Sequence, residues 1–319
     1  MPCAADSREP AAAGAPLRPR TPSVVSVILN TNRREDTLAC LASLSRSSYP
    51  NHRALVLDNA STDGSRDAIR SAFPDVEVLE LALNLGYAGN NNVGIEAALR
   101  AGADWVFVLN EDTVIAPDCL SRLIEAAEKD AGIGIVGPMV YHHDEPDVIQ
   151  SAGGKLSRWW ESFHLAQNAR DEGQFAQPHR VDWISGCGIL VRREVIEQVG
   201  AIDARYFYFW EETEWCVRAG RAGWRVLHVP GAKLWHKGVR RDYRPSPTVT
   251  YYATRNRLLT MAKHGAPALV RAVAWLQIFR TLASWTVRPK WALLKAHRRA
   301  MWLGVTDFLR GRWGGPVQL

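Results

Sequence analysis

Four polar clusters carry side chains able to bind a phosphorylated ligand: Asn30-Thr31-Asn32, Asp58-Asn59, Asn84 with Gly86 and Gly89, and Asn110-Glu111-Asp112. The last follows an uninterrupted apolar run, Trp105-Val106-Phe107-Val108-Leu109. A stretch that is apolar on both faces reads as a buried central strand of a parallel sheet. Ligands of open α/β sheets sit just past the carboxyl ends of such strands. Asp112 is therefore suited to hold a divalent metal on a phosphate-bearing ligand. Any single cluster is an ordinary set of turn residues. Four in succession on one sheet edge mark where a nucleotide would lie.

The elements that must position these clusters alternate between strand and helix. Ser23 to Leu29 is rich in β-branched residues and reads as a strand, followed by a helix from Glu35 to Ser47 with Leu38, Leu41 and Leu44 on one stripe. Ala54–Leu57 is a second strand, ended by the turn-rich Asp58–Gly64. A helix from about Ser65, a strand near Val76–Leu81 and a helix from about Asn91 to Arg100 lead into the Trp105 strand. This βαβαβ rhythm predicts a parallel sheet with right-handed crossovers. Beyond it, a helix opened by Pro117 and a short strand at Ile133–Val136 are expected. Tyr141–Arg180 reads as loops or a small antiparallel insertion. Strand character returns over Val181–Arg192, then a helix from Glu211 to Gly220 and a strand over Trp224–Val229.

The chain has 319 residues, enough for one large α/β domain or two smaller ones. Its five cysteines are widely spaced without a CxxC pair, which argues against a disulfide framework or a zinc site. Residues 1–22, rich in Ala, Pro and Arg, lack the apolar core of a signal peptide and read as a disordered lead-in. No run of about 18 uncharged apolar residues occurs, which argues against a membrane-spanning helix.

The formal charge of +6 is concentrated at one end. From Gly265 onward nine Lys or Arg face one acid, Asp307, so the preceding body is close to neutral. Nucleic-acid binding over the whole protein is unsupported. The tail, 265–319, reads as Trp-rich helices, with Trp291, Leu294, Trp302, Val305 and Leu309 on a shared face. Such helices suit an anionic membrane interface, or dock on the domain or another subunit with Lys and Arg stems snorkelling.

With these clusters in order, the sequence resembles glycosyltransferase family 2, inverting enzymes of GT-A fold, and within it the rhamnosyltransferase-like subgroup. The resemblance rests on Leu29-Asn30-Thr31-Asn32-Arg33, Asp58 to Ser65, Asn84 to Asn92, Leu109-Asn110-Glu111-Asp112-Thr113 and Gln150-Ser151-Ala152-Gly153-Gly154. It continues through Asp182-Trp183-Ile184-Ser185-Gly186, Glu211-Glu212-Thr213-Glu214, Arg221-Ala222-Gly223-Trp224 and Trp235-His236. It covers roughly residues 24–259.

The resemblance implies an α/β fold with a mostly parallel central sheet flanked by helices, a transferase domain over 23–264 and a C-terminal helical tail. Asp58 would accept from the pyrimidine N–H of a nucleoside-diphosphate sugar, with Asn30 and Thr31 lining the same base. Asn84, Gly89 and Asn91 would approach the ribose and diphosphate, near Asn110. Asp112 would hold Mg²⁺ or Mn²⁺, with His236 completing the metal shell. Glu212 would be the general base that takes the acceptor proton. Trp183, Ser185, Gly186 and Glu211 would face the acceptor, a bacterial surface glycan or its lipid-linked precursor. The implied donor is dTDP-L-rhamnose, with a UDP- or GDP-hexose as the alternative. The cysteine usage suits the cytoplasm, and the basic tail suggests a peripheral place on the cytosolic face of the inner membrane.

Glu211, Glu212 and Glu214 also have a simpler reading, since acids in a first helical turn are favoured by the macrodipole. The aromatic run Tyr206–Trp210 favours the catalytic one, because aromatics wall a sugar face and desolvate a neighbouring carboxylate. Four positions depart from the family: Asn30 replaces the usual Thr, Thr31 the usual Tyr, Glu111 the usual Pro, and Glu212 the usual Asp. No GxGxxG turn follows the first strand and no GxxxxGK[ST] occurs, which argues against a dehydrogenase and a P-loop NTPase. A sugar-phosphate nucleotidylyltransferase would need a Gly- and Arg-rich loop after the first strand. A catalytically inactive, membrane-tethered binding protein is the remaining alternative of another class.

Overall fold

The computed structural model describes residues 21–238 and 240–317. Residues 1–20 of the expected lead-in lie outside the described residues. The first half follows the expected rhythm: β1 (Val24–Asn30), α1 (Arg34–Leu44), β2 (His52–Asp58), α2 (Ser65–Ala72), β3 (Glu77–Glu80), α3 (Gly86–Arg100) and β4 (Trp105–Asn110). Next come β5 (Thr113–Ile115), α4 (Cys119–Glu128), β6 (Ile133–His142), β7 (Ile149–Ser151), β8 (Gly154–Leu156), β9 (Ser162–His164) and β10 (His179–Arg180). The chain continues through β11 (Gly188–Arg192), α5 (Arg193–Val199), α6 (Glu211–Arg221), β12 (Arg225–His236), α7 (Pro247–Lys263), α8 (Ala268–Val287) and α9 (Lys295–Leu309).

The main sheet runs β10-β12-β6-β11-β4-β1-β2-β3. β4, β1, β2 and β3 pair in parallel, as do β6 and β12, while β11 lies antiparallel between β4 and β6. Among the long strands only β11 is reversed, so the sheet is mixed but mostly parallel. Successive strand residues point to opposite faces. Accordingly Val24, Ile28, Trp105, Phe107 and Leu109 pack with α1 and α4 on one face. Val25, Val27, Val106 and Val108 pack with α3 and α6 on the other. That two-sided burial is why the Trp105 run lacks alternation.

Several boundaries differ from the sequence expectation. α3 begins at Gly86, not Asn91. Of the stretch 181–192 only Gly188–Arg192 is strand. The strands expected at Ile133–Val136 and Trp224–Val229 both run on, to His142 and His236. They pair in parallel along this whole length, across a register shift between Val229 and Lys233. β5 completes the corner by pairing antiparallel with the end of β12, His236 opposite Thr113.

The tail docks on the domain. α9 packs on α7 so closely that a Cβ on Gly304 would stand 2.8 Å from the Tyr251 carbonyl. Tyr251 donates to the buried Asp307 carboxylate at 2.8 Å, and Tyr252 to the Gly315 carbonyl at 2.8 Å. α8 buries Val270, Ala274, Ile278 and Leu282 on one stripe. The shared apolar face expected for Trp291 to Leu309 is not formed. Pro289–Leu294 is a separate 3-10 turn, and in α9 Val305 is buried while Trp302 and Leu309 are exposed. Among the described residues, no helix is long and apolar enough to cross a membrane.

Candidate active site

The parallel strands deliver their polar ends to one edge, where Asn30 is paired in register with Asp58, and Leu29 with Asn110. A cavity of about 320 Å³ opens there. Thr31, Asn59 and Asn84 line one side and Asn110, Glu111 and Asp112 another, with Gly86, Tyr87 and Asn90 from the start of α3. Phe207 and Tyr208 complete the wall. Gly86 has a left-handed φ of +74°, and a Cβ on it would fall 2.4 Å from the Phe207 carbonyl oxygen. Only glycine lets α3 begin against that loop.

Not every expected contact reaches this cavity. Asp58 is 1% exposed, and its oxygens accept from Asn30 Nδ2 at 2.8 Å and the Ser61 amide at 3.1 Å. Asn30 is equally buried, and its Oδ1 accepts from Thr37 at 2.9 Å. The pair fixes the strand ends, while Thr31 and Asn59, joined at 3.3 Å, line the cavity. Gly89 and Asn91 sit inside α3, where a Cβ on Gly89 would fall 2.6 Å from the Leu85 Cβ and Asn91 donates to the Tyr87 carbonyl. Gly86, Tyr87 and Asn90 face the cavity instead, the i, i+1, i+4 set of a helix that starts five residues earlier than expected.

Asp112 and His236 are brought together by the β5–β12 ladder, reinforced by the Lys237 amide donating to the Asp112 carbonyl at 3.0 Å. His236 Nε2 stands 3.1 Å from Asp112 Oδ1, yet that oxygen has no aligned hydrogen bond among the described residues. Burial pushes the Asp112 carboxyl up, but His236, Arg33 and a backbone hydrogen bond together hold the group below its ordinary value. On the far side of the ring, Nδ1 lies 3.0 Å from Gln150 Oε1. A side-chain oxygen accepting from Nδ1–H leaves the Nε2 lone pair free for a metal. Glu111, beside them, is pushed up to about 7 by burial and by the charge of Asp112.

A divalent cation fits this corner. It has one carboxylate and one imidazole converging, a buried carboxylate oxygen without an aligned hydrogen bond, and a second carboxyl raised by burial and by the charge of Asp112. Gly238 leaves the corner open, since a Cβ there would fall 2.4 Å from Asp112 Oδ2 and 3.1 Å from His236 Nε2. No group of three or more His, Cys, Asp or Glu arranged to hold a metal ion occurs among the described residues. Two protein ligands suffice where substrate phosphates and water supply the rest.

Glu211 and Glu212 open α6, directly after the cavity-lining Phe207 and Tyr208. Each has one carboxylate oxygen that is buried without a hydrogen-bond partner among the described residues. Burial raises both carboxyls, and Glu212 raises Glu211 further. The helix dipole, worth about 0.3–1 kcal/mol at an exposed first turn, is outweighed by desolvation. Glu214 differs: burial raises it, but His264, Arg218 and Lys263 hold it below its ordinary value. It is a structural anchor. Burial raises the Cys187 thiol and the Tyr208 hydroxyl, and the charges of Asp112 and Glu212 add to both shifts.

Of the residues expected on the acceptor side, Gly186 abuts the cavity-lining Tyr87, its carbonyl accepting from the Tyr87 hydroxyl at 2.6 Å. Ser185 lies 3.3 Å from the Cys187 sulfur. Trp183 is buried in the core against Gly154 and lies edge-on to His164, so it supports the floor without facing a ligand.

The sequence profile of the family described as Glycosyl transferase family 2 matches residues 23–200. The chain belongs to glycosyltransferase family 2. It is 34% identical over 216 residues to the N-acetylglucosaminyl-diphospho-decaprenol L-rhamnosyltransferase of Mycobacterium tuberculosis (strain CDC 1551 / Oshkosh), covering 61% of this chain and 70% of that protein. It is 27% identical to the dTDP-rhamnosyl transferase RfbF of Shigella flexneri, covering 82% and 87%. Among solved structures it resembles the mannosyltransferase PcManGT of Pyrobaculum calidifontis in complex with GDP-Man and Mn2+, with a TM-score of 0.57 and 15% identity, over 92% of this chain and 88% of that one. That likeness gives the glycosyltransferase its GT-A fold.

Proposed function

We propose that this glycosyltransferase moves L-rhamnose from dTDP-L-rhamnose onto a hydroxyl of a lipid-linked glycan precursor, inverting the anomeric configuration. The observation that supports the reaction type is a pair of unlike carboxylate sites: Asp112, in the cavity wall and 3.1 Å from His236, and Glu212, desolvated at the start of α6 four residues after the cavity-lining Tyr208. The donor and the acceptor class are carried over from the two rhamnosyltransferase relatives.

Thr31 and Asn59 sit where the nucleotide base would lie, and Asn84, Gly86 and Asn90 where its ribose and diphosphate would pass. Asp112 and His236, with Glu111 beside them, would hold Mg²⁺ or Mn²⁺. The ion would neutralise charge on the departing nucleoside diphosphate. Glu212 accepts the proton of the acceptor hydroxyl as that oxygen bonds to the anomeric carbon and the bond to the diphosphate breaks. Its raised pKa suits a base that must take up a proton near neutral pH. Tyr208 and Phe207 exclude water from the sugar side.

The same reading places the chain at an anionic membrane, on the cytosolic face of the inner membrane. α8 and α9 leave Leu276, Phe279, Val287 and Trp302 exposed. A groove of about 490 Å³ between them is lined by Phe279, Ala283, Trp302, Arg298 and Arg299. Apolar side chains fringed by guanidinium groups match a headgroup boundary.

A donor screen tests the function. dTDP-L-rhamnose, UDP-glucose and GDP-mannose are offered with a short-chain N-acetylglucosaminyl-diphospho-lipid, and nucleoside diphosphate release is measured. Acceptor-dependent release from dTDP-L-rhamnose is expected. Preferential consumption of a UDP- or GDP-hexose would replace the donor assignment.

A further inference from the structure

The segment leading into Glu211 and Glu212 is strained. Phe207, Phe209 and Trp210, none of them glycine, have φ of 63°, 72° and 77°. Each such residue costs on the order of 1–3 kcal/mol and persists only where its surroundings over-determine it. Here the surroundings come from α7. Asn256, fully buried, directs its amide nitrogen to the carbonyls of Tyr206 at 3.0 Å, Tyr208 at 2.9 Å and Phe209 at 2.6 Å. Arg255, equally buried, donates to the carbonyls of Arg205 at 3.1 Å and Tyr206 at 2.8 Å. Its Nε also donates to Asn256 Oδ1 at 2.9 Å, which fixes the amide orientation.

We infer that Asn256, oriented by Arg255, is a positioning residue that holds the strained 206–210 turn and thereby aims Glu212 and Tyr208 at the reacting groups. The inference rests on the reading of Glu212 as base. A buried asparagine that merely satisfied itself would need no three acceptors from one irregular segment. All of the Asn256 donor capacity goes to the turn that ends at the proposed base. The tail secures this brace: Tyr251 and Tyr252, flanking the clamp on α7, bond to Asp307 and Gly315, and the Gly314 amide donates to the Arg205 carbonyl at 3.1 Å. Residues beyond 264 therefore serve the reaction itself, besides any surface they offer to lipid.

The test is steady-state kinetics of the full chain, with dTDP-L-rhamnose and the short-chain N-acetylglucosaminyl-diphospho-lipid as probes. Asn256→Asp keeps the shape and has Arg255 to balance its charge, but cannot donate. A misplacement of about 1 Å costs about 100-fold in rate, so kcat should fall by about that factor with the donor KM within about threefold of wild type. Asn256→Ala is the second variant should the first fail to fold. Leu258→Ala, on the same helix but packed toward α8 and α9, should lower Tm while kcat stays at the wild-type value. Unchanged kcat in folded Asn256 variants, a donor KM rising in step with the fall in kcat, or the same kcat loss in Leu258→Ala would each overturn the clamp. Glu212→Gln, assayed beside them, separates the two readings: if it turns over normally, the base assignment fails, whereas inactive Glu212→Gln with active Asn256→Asp sinks only the clamp.

Discussion

Gly238→Ala probes the proposed metal corner without replacing a proposed ligand. Gly238 is exposed and its φ lies outside the left-handed region, so alanine is conformationally acceptable there. The added methyl, however, would fall 2.4 Å from Asp112 Oδ2 and 3.1 Å from His236 Nε2. Ordinary carbon contacts are about 3.5 Å or more, so the Asp112 carboxylate or the loop must give way by about 1 Å. A shift of that size at a reacting site costs about 100-fold, close to 2.7 kcal/mol of barrier. Stability should change little, since Gly238 is exposed and the atom in the way is the far end of the Asp112 side chain. The assay is nucleoside diphosphate release from dTDP-L-rhamnose as Mn²⁺ is titrated, with Tm measured in parallel. The expected result is a large loss of turnover and a raised half-saturating metal concentration at unchanged Tm. Wild-type turnover with an unchanged metal requirement would refute the assignment of this corner.

Two further predictions concern stability and surface. Folding raises the Glu211 carboxyl above its ordinary 4.5, so the folded chain holds a proton that the unfolded chain releases, and the ionised form destabilises the fold at higher pH. Glu211→Gln should therefore raise Tm at pH 8 by a few degrees. The gain should shrink as pH falls toward 4.5; thermal melts that give no gain, or one that ignores pH, would contradict it. The protein should co-sediment at low salt with vesicles containing anionic lipid but not with neutral ones. Replacing Arg298 and Arg299 by Ala should weaken that binding by about 30-fold, at about 1 kcal/mol per residue. Equal binding to both vesicle types, or none, would remove the membrane from the account.

Much of this was legible in the sequence, because strand ends in a parallel sheet share one edge. The apolar Trp105 run announced a central strand, and Asn30, Asp58 and Asn110 do meet where that strand ends. What sequence could not give was direction. Asn30 and Asp58 spend their polar atoms on each other and on Ser61, so the neighbouring Thr31 and Asn59 face the cavity. Starting α3 at Gly86 turns Gly89 and Asn91 inward, since each residue rotates the helix by about 100°. His236 was recognisable only by resemblance, because its approach to Asp112 depends on a strand that ends seven residues later than its pattern suggested. Asn256 and Gly238 carried no readable signal. Their roles come from a loop with left-handed non-glycine residues and from a corner that exists only after β12 and β5 pair. The tail misled because a 3-10 turn after Pro289 breaks the periodicity that a single helix would have had.

The central claim is that Glu212 accepts the proton in an inverting sugar transfer. Its most direct test is the turnover of Glu212→Gln at saturating dTDP-L-rhamnose, with the donor Kd measured on the same preparation. Losing a positioned general base costs about 100- to 10,000-fold. A fall in that range with the donor Kd unchanged is predicted, and turnover within about threefold of wild type would contradict it.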